Sequence, residues 1–216
     1  MSRKYEFTGE TKNHFGRTLH QIRAVVAIAS IGVAAGDIGG WVEAEKNLSH
    51  DGDAWVYGDA WVYGDARVYG DARVYGDARV SGNAKVYGDA RVYGDAWVSG
   101  NAWVSGNVEV YGDAWVSGNV EVYGDAWVSG NAEVLWVSHV GSEGGTLTLY
   151  RTKDGEAVNR GCFSGSLDEF AAAVKRTHPD NLYGREYALL IQMMRLRVAS
   201  WGPRDFSDTE AKGEAA

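Results

Sequence analysis

The chain has 216 residues, a formal net charge of −8 and 45% hydrophobic residues. This balance predicts a folded protein, and it argues against a disordered chain or a basic nucleic-acid-binding protein, so nucleic acid is not an expected partner. The longest apolar stretch, residues 25–35, is too short to span a bilayer, and no membrane association is expected.

The cysteine content and the N-terminus bear on the cellular compartment. The chain has one cysteine, Cys162, which excludes an internal disulfide and favours a reducing environment. Residues 1–6 lack the apolar core of a signal peptide. The sequence therefore predicts a cytoplasmic protein.

The N-terminal region is predicted to cap the structure that follows it. Residues 1–36 favour short strands, over residues 5–8 and 19–28. Residues 37–53 contain a degenerate version of the repeat described next, and terminal repeats are expected to be atypical because they cover the end of a stack. Counting back in sixes places Ile38, Ala44 and His50 at the valine position of the repeat, and Val42 and Leu48 at its alanine position.

A six-residue phrase, typically Val-Tyr-Gly-Asp-Ala-Arg, fills residues 53–134 without a gap. Val occupies every sixth position from Val56 to Val134, with Ala or Val two residues before it. This spacing puts two apolar side chains on one side of a short strand, and the following Gly-Asp or Gly-Asn provides a turn. Three such units close a triangle, so one coil has eighteen residues. The sequence predicts a triangular parallel β-helix of five to six coils over residues 37–134.

The repeat gives way to a different pattern at residues 135–203, which predict a small α+β module. Residues 146–152 and 156–163 form a predicted hairpin around an Asp-Gly turn. Ser166 and Glu169 form a capping-box signal for a first helix. The apolar stripe of a second helix consists of Tyr187, Leu190, Ile191, Met194 and Val198.

The predicted module has two possible roles. It covers the open C-terminal edge of the β-helix, because unpaired strand edges promote aggregation, or it holds protomers together. Residues 204–216 are predicted to be a loose tail.

The whole arrangement resembles uncharacterised phage, prophage and bacterial hexapeptide-repeat proteins, some of them labelled polymer-forming cytoskeletal proteins. The resemblance implies a left-handed parallel β-helix and, if the chain is phage-encoded, a location in the host cytoplasm. It brings no known activity with it. Besides the repeat, it rests on Tyr5-x-Phe7-Thr8, Gly36-Asp37-Ile38-Gly39-Gly40-Trp41-Val42-Glu43, Glu45-x-Asn47-Leu48-Ser49 and Gly161-Cys162-Phe163-x-Gly165.

Outward-pointing side chains of a β-helix stack at intervals of one coil, which gives this chain three faces. Many of them are Trp, Tyr and Arg, the residue types enriched in binding hot spots, and contiguous exposed aromatics mark interaction sites. An alternative interpretation is that these aromatic ladders only stabilise the sheets. We expect a protein interface on the second face, because its serines are small enough to let another surface approach. This face contains residues 61–63, 79–81, 97–99 and 115–117, and its column ends at Glu133. The predicted interface residues are Trp61, Arg79, Trp97, Trp115, Ser99 and Ser117.

These features favour a non-enzymatic binding or assembly protein that acts on a protein partner, such as a host factor or a defence protein, or on itself as a dimer or trimer. A trimeric acyltransferase-like enzyme is one alternative, because left-handed β-helix enzymes use histidine at subunit interfaces. Residues 53–134 contain no histidine, and His50 and His139 flank them. A carbohydrate-binding rod is another alternative.

Columns of aspartate at the corners raise the possibility of bound calcium. One column contains Asp53, Asp71 and Asp89, and a second begins at Asp59 and Asp77. An aspartate at a turn commonly accepts local backbone N–H groups instead. No metal or cofactor is therefore expected.

Overall fold

The computed structural model describes residues 3–130 and 133–202, and the tail predicted for residues 204–216 lies outside the described residues. It is mainly β: a β-solenoid of about five coils is followed by a small antiparallel sheet and two helices. The prediction of a parallel solenoid with about eighteen residues per coil is confirmed, because partner strands on each face are eighteen residues apart from Trp55 onward.

Each coil of the solenoid contributes one short strand to each of three parallel sheets. The first face is formed by β4 (Trp55–Val56), β7 (Arg73–Val74), β10 (Arg91–Val92), β13 (Glu109–Val110) and β16 (Trp127–Val128). The second face is formed by β5 (Trp61–Val62), β8 (Arg79–Val80), β11 (Trp97–Val98) and β14 (Trp115–Val116). The third face is formed by β6 (Arg67–Val68), β9 (Lys85–Tyr87), β12 (Trp103–Ser105) and β15 (Glu121–Val122).

The interior of the solenoid consists of the repeated Val and Ala side chains, as predicted. From residue 54 to residue 128 these positions are at most 1% exposed. At the corners, backbone hydrogen bonds also join successive coils, and the N–H of one coil donates to a carbonyl of the next. Asp65 N donates to Gly82 O at 2.8 Å, and Asn83 N donates to Gly100 O at 2.7 Å. The stack is therefore continuous along the corners as well as the faces.

An N-terminal hairpin extends the second face. Its strands β1 (Tyr5–His14) and β2 (Arg17–Ala24) are antiparallel. Their bounds differ from those predicted, and β1 extends well beyond the predicted strand at residues 5–8. Strand β2 pairs with β3 (Ile38–Val42), which runs parallel to β5. The second face is thus one sheet of seven strands, with the hairpin at its N-terminal edge.

The first coil departs from the repeat by two residues. Val42 pairs with Val62 and Leu48 with Val68, so these partners are twenty residues apart rather than eighteen. Both are fully buried, whereas Ile38 is 53% exposed. The predicted phase of this coil was therefore wrong: Val42 and Leu48 occupy the valine position, because a longer corner between Leu48 and β4 contains the two additional residues.

Side chains satisfy the carbonyl groups at the N-terminal end of the stack. Lys4 is 4% exposed, and its Nζ donates to Gly52 O at 3.1 Å and to Ala54 O at 2.8 Å. The hydroxyl of Tyr5 lies 3.0 Å from the carbonyls of both Glu45 and Leu48, which share its one proton. These bonds replace the coil that would otherwise precede the first one, which is how an end of a parallel stack is closed.

The buried ammonium group of Lys4 gives the stability of the protein a specific pH dependence. Burial lowers the pKa of Lys4 from 10.5 to about 8, against the opposing effect of nearby aspartates. Between these pH values the unfolded chain holds a proton that the folded protein releases, so the stability rises with pH in this window. We expect the free energy of unfolding of the wild type to rise relative to that of Lys4→Met between pH 8 and about 10, measured by urea denaturation. Parallel curves for the two proteins would contradict this assignment.

The C-terminal part contains a four-stranded antiparallel sheet, of which the sequence predicted only the two central strands. The strands are β17 (Val134–Val140), β18 (Gly145–Thr152), β19 (Gly155–Arg160) and β20 (Phe163–Gly165). Two helices, α1 (Leu167–Thr177) and α2 (Leu182–Ala199), pack against it. The predicted capping box is confirmed, with Ser166 N donating to Glu169 Oε2 at 2.8 Å and Glu169 N donating to Ser166 Oγ at 3.2 Å.

Strand β18 lies against the last coil of the solenoid. Thr152 forms an antiparallel bridge with Ala126, and Tyr150 joins the buried core of the solenoid. Asn159 on β19 donates from Nδ2 to the carbonyl of Glu121 at 3.3 Å. These contacts are those expected of a module that covers the C-terminal edge of the stack.

Candidate functional site

The outward side chains of the second face form a single column in register. The order along the sheet is Trp41, Trp61, Arg79, Trp97 and Trp115. Among its tryptophans, exposure increases from 7% at Trp41 to 36% at Trp97 and 51% at Trp115, and Arg79 is also exposed. The C-terminal half of the second face is therefore the part that another molecule can reach.

Two tryptophans of this column are held in fixed orientations. The rings of Trp97 and Trp115 stack at a centroid distance of 5.4 Å and an interplanar angle of 6°. The indole Nε1 of Trp97 donates to Ser81 Oγ at 3.0 Å, and that of Trp115 donates to Ser99 Oγ at 3.3 Å. Because both the ring and its N–H are held, little side-chain entropy remains to be lost when a partner binds.

The serines therefore have a role that sequence reasoning missed. The serines were predicted to leave room for an approaching surface. In the structure, Ser81 and Ser99 accept hydrogen bonds from tryptophans one coil further along. Ser81, which was not among the predicted interface residues, is only 5% exposed. The signal in the sequence is a serine sixteen residues before each of these tryptophans.

The N-terminal end of the predicted interface is covered by the chain itself. The ring of His14 meets that of Trp61 edge-on at 4.7 Å, and Lys12 Nζ lies 4.1 Å from the ring of Trp41. The guanidinium of Arg79 lies 5.0 Å from the centroid of the Trp61 ring. Trp61 thus joins the hairpin to the solenoid, and the accessible patch is centred on Trp97 and Trp115.

On the first face, the outward side chains mainly contact one another. Tyr75, Tyr93 and Tyr111 stack with centroid distances of 4.8 and 5.1 Å. The hydroxyl of Tyr93 donates to Glu109 Oε2 at 2.8 Å, and burial together with this bond raises the pKa of Tyr93. Arg91 also donates to Glu109, at 3.3 Å. The interpretation of the aromatic ladders as sheet-stabilising contacts fits this face best.

The third face offers a tryptophan of matched exposure in a different setting. Trp103 is 37% exposed, close to the value for Trp97. Lys85 Nζ lies 4.3 Å from its ring centroid, a cation–π distance. Trp103 therefore provides a control for experiments on the second face.

His50, one of the two histidines on which the acyltransferase hypothesis depends, has structural contacts. Its ring stacks on Tyr5 at 4.4 Å, and its Nδ1 accepts the backbone N–H of Lys4 at 3.2 Å. It borders a cleft of about 410 Å³ that Arg67 and Lys85 also line. Because Nδ1 accepts from Lys4, the neutral ring carries its proton on Nε2, which is buried and has no hydrogen-bond partner among the described residues. These contacts place no acid–base partner beside the ring.

The corner columns differ from one another in chemistry. At one corner Asn83, Asn101 and Asn119 form an amide ladder, with Nδ2-to-Oδ1 distances of 2.9 Å. At another, Asp53 N donates to Asp71 Oδ1 at 3.1 Å. Within residues 3–130 and 133–202, no group of three or more His, Cys, Asp or Glu side chains is arranged to hold a metal ion. Over the same residues, no helix is long and apolar enough to cross a membrane.

Comparison with known proteins agrees with this geometry. Residues 66–82, 72–88 and 84–100 match the family model described as the YdcK beta solenoid repeat. No curated protein is similar to the chain. The matched residues all lie in the solenoid, on strands of all three faces. The chain is a β-solenoid repeat protein.

Proposed function

We propose that this protein is a non-enzymatic assembly protein that binds a second copy of itself through the C-terminal half of the second face. The observation that supports this is the stacked pair Trp97 and Trp115, which is exposed yet fixed by hydrogen bonds. Interface hot spots are enriched in tryptophan, and ordered aromatic side chains bind at low entropic cost.

The charge of the face suits contact between two copies. The chain is acidic overall, with a net charge of −8, and like-charged surfaces oppose self-association. The column on the second face carries Arg79 and no acidic residue from Trp61 to Trp115. Two copies that meet there bring together aromatic surfaces rather than the aspartates of the corners.

The orientation of the rings favours a protein partner over a carbohydrate. A sugar packs flat on the face of an aromatic ring. The rings of Trp97 and Trp115 are nearly parallel and face one another along the column. Each ring therefore has one face covered by its neighbour, which leaves less flat aromatic surface for a sugar.

Substitution of the two tryptophans tests the proposal. We expect Trp97→Ala/Trp115→Ala to weaken self-association at least tenfold, about 1.4 kcal/mol or more, measured by sedimentation equilibrium over a wide concentration range. Trp103→Ala is the control, because the exposure of Trp103 is close to that of Trp97 and it lies on a different face. Its self-association is expected to match the wild type.

Two results would contradict the proposal. One is a wild-type protein that remains a monomer at the highest concentration reached. The other is an equal loss of self-association in the double variant and in Trp103→Ala. Capture of another protein from a lysate by the wild type and Trp103→Ala, but not by the double variant, would assign the same face to a different partner.

A further inference from the structure

A second candidate site lies in the C-terminal part, away from the solenoid faces. It is a cavity of about 340 Å³ between the turn that joins β17 to β18, strand β20 and the two helices. This volume is within the range of small-molecule sites, which combine apolar walls with a few polar groups. The ionisable groups that line it are those of Glu143, Arg160, Cys162, His178 and Tyr187.

Arg160 is a buried cation whose hydrogen bonds are incomplete. Its side chain is 10% exposed, and one guanidinium nitrogen donates to Val140 O at 2.9 Å. Its Nε is buried and has no partner among the described residues. The nearest carboxylate, that of Glu143, is 3.9 Å away on a side chain that is 83% exposed. A buried charge is costly unless it is closely paired. Glu143 also lines the cavity, and its contact with Arg160 is long and exposed, so a ligand carboxylate would take the place of Glu143 beside the guanidinium.

Two glycines in the β17–β18 turn region make room for the polar groups. A Cβ atom on Gly145 would lie 2.5 Å from a guanidinium nitrogen of Arg160. A Cβ atom on Gly141 would collide with the hydroxyl of Tyr187, and Gly141 has a φ of +69°. The backbone here is thus shaped around Arg160 and Tyr187.

The rest of the wall is aromatic. The rings of Phe163 and Phe170 lie 5.2 Å apart, and that of Tyr187 meets Phe170 edge-on at 5.5 Å. The ring of His178 lies 5.9 Å from that of Tyr187. These rings provide an apolar surface for the body of a ligand beside the single cation.

We propose that this cavity binds a small aromatic carboxylic acid. The planar guanidinium of Arg160 receives the carboxylate, a geometry that matches its fork of N–H groups. The ring of the ligand packs against Phe163, Phe170 and Tyr187. This site is independent of the second face, so either proposal can fail without the other.

The one cysteine of the chain provides a direct test. Cys162 lines the cavity and is exposed, so its rate of alkylation reports whether the cavity is occupied. We expect benzoate, at ten times its dissociation constant, to slow alkylation of the wild type about tenfold. Benzamide, the neutral isostere, is expected to leave the rate unchanged at the same ionic strength.

Variants assign the effect to Arg160. Arg160→Gln is expected to abolish protection by benzoate. Arg151→Gln is expected to retain it, because Arg151 is a similarly buried arginine of the same sheet that pairs with Glu133 outside the cavity. The comparison of benzoate with benzamide uses only the wild type, so it still tests the proposal if Arg160→Gln fails to fold.

Several outcomes would overturn the proposal: no protection by benzoate, equal protection by benzamide, or full protection in folded Arg160→Gln. Stronger protection by phenyl phosphate than by benzoate would overturn the assignment of the ligand as a carboxylate.

Discussion

Gly100→Ala is expected to destabilise the protein by about 4 kcal/mol, as the sum of backbone strain and steric overlap. Gly100 has a φ of +69°, which side-chain-bearing residues rarely adopt. Its added Cβ would also lie 2.6 Å from the backbone nitrogen of Gly118 in the next coil. Neither the backbone nor the stacked coil can move without breaking corner hydrogen bonds, so the two costs add.

Gly124→Ala separates these two costs. Gly124 has nearly the same φ, +70°, but nothing lies within 4 Å of the Cβ it would gain. Only the strain term remains, and we expect a loss of about 1 kcal/mol. Denaturant unfolding of both variants measures the difference. Equal losses would show that the close stacking of the glycine corners contributes nothing to stability.

Asn47→Ala is expected to destabilise the protein by about 3 kcal/mol or more, because it leaves several buried backbone groups unpaired. Asn47 is fully buried in the first coil. Its Nδ2 donates to Gly64 O at 3.1 Å and to Ala66 O at 2.8 Å, and its Oδ1 accepts from Ala44 N at 2.8 Å. The substitution removes these hydrogen bonds at the N-terminal end of the stack, where no preceding coil can replace them.

Asn83→Ala is the matched control for this cap. Asn83 is an exposed corner residue, and its side chain bonds to Asn101 in the amide ladder at 2.9 Å. Its removal leaves no buried group unpaired, so we expect a loss of less than about 1 kcal/mol. Thermal unfolding of the two variants checks the ranking. A cost for Asn83→Ala as large as that for Asn47→Ala would mean that the cap is no more important than an ordinary corner.

The solenoid was predictable because its rules are local. Val56 and its successors, with Ala two residues before each, specify both the strand and the buried side, and the glycines specify the corners. The capping box at Ser166 was predictable for the same reason. In each case the residues that determine the structure lie within a few positions of one another.

The ends and the sites depended on contacts that the sequence does not display. The two-residue slip at Val42 and Leu48 follows from the longer corner between Leu48 and β4, which a strict count in sixes hides. The cover over Trp61 comes from His14, a residue of a separate hairpin. The cavity beside Arg160 forms only when two helices pack on the C-terminal sheet. From the sequence, Cys162 therefore indicated a reducing cellular compartment but not its place in a cavity.

The one-way hydrogen bonds at the corners limit how the protein can change in length. Each corner donor requires an acceptor one full coil ahead, as in the pair Asp65 N and Gly82 O. A duplication of eighteen residues inside the stack would add one coil and leave both ends unchanged. A duplication of one six-residue phrase would instead rotate the C-terminal sheet by a third of a turn relative to the N-terminal hairpin. Evolution can therefore lengthen this protein in whole coils while keeping the relative orientation of its two ends.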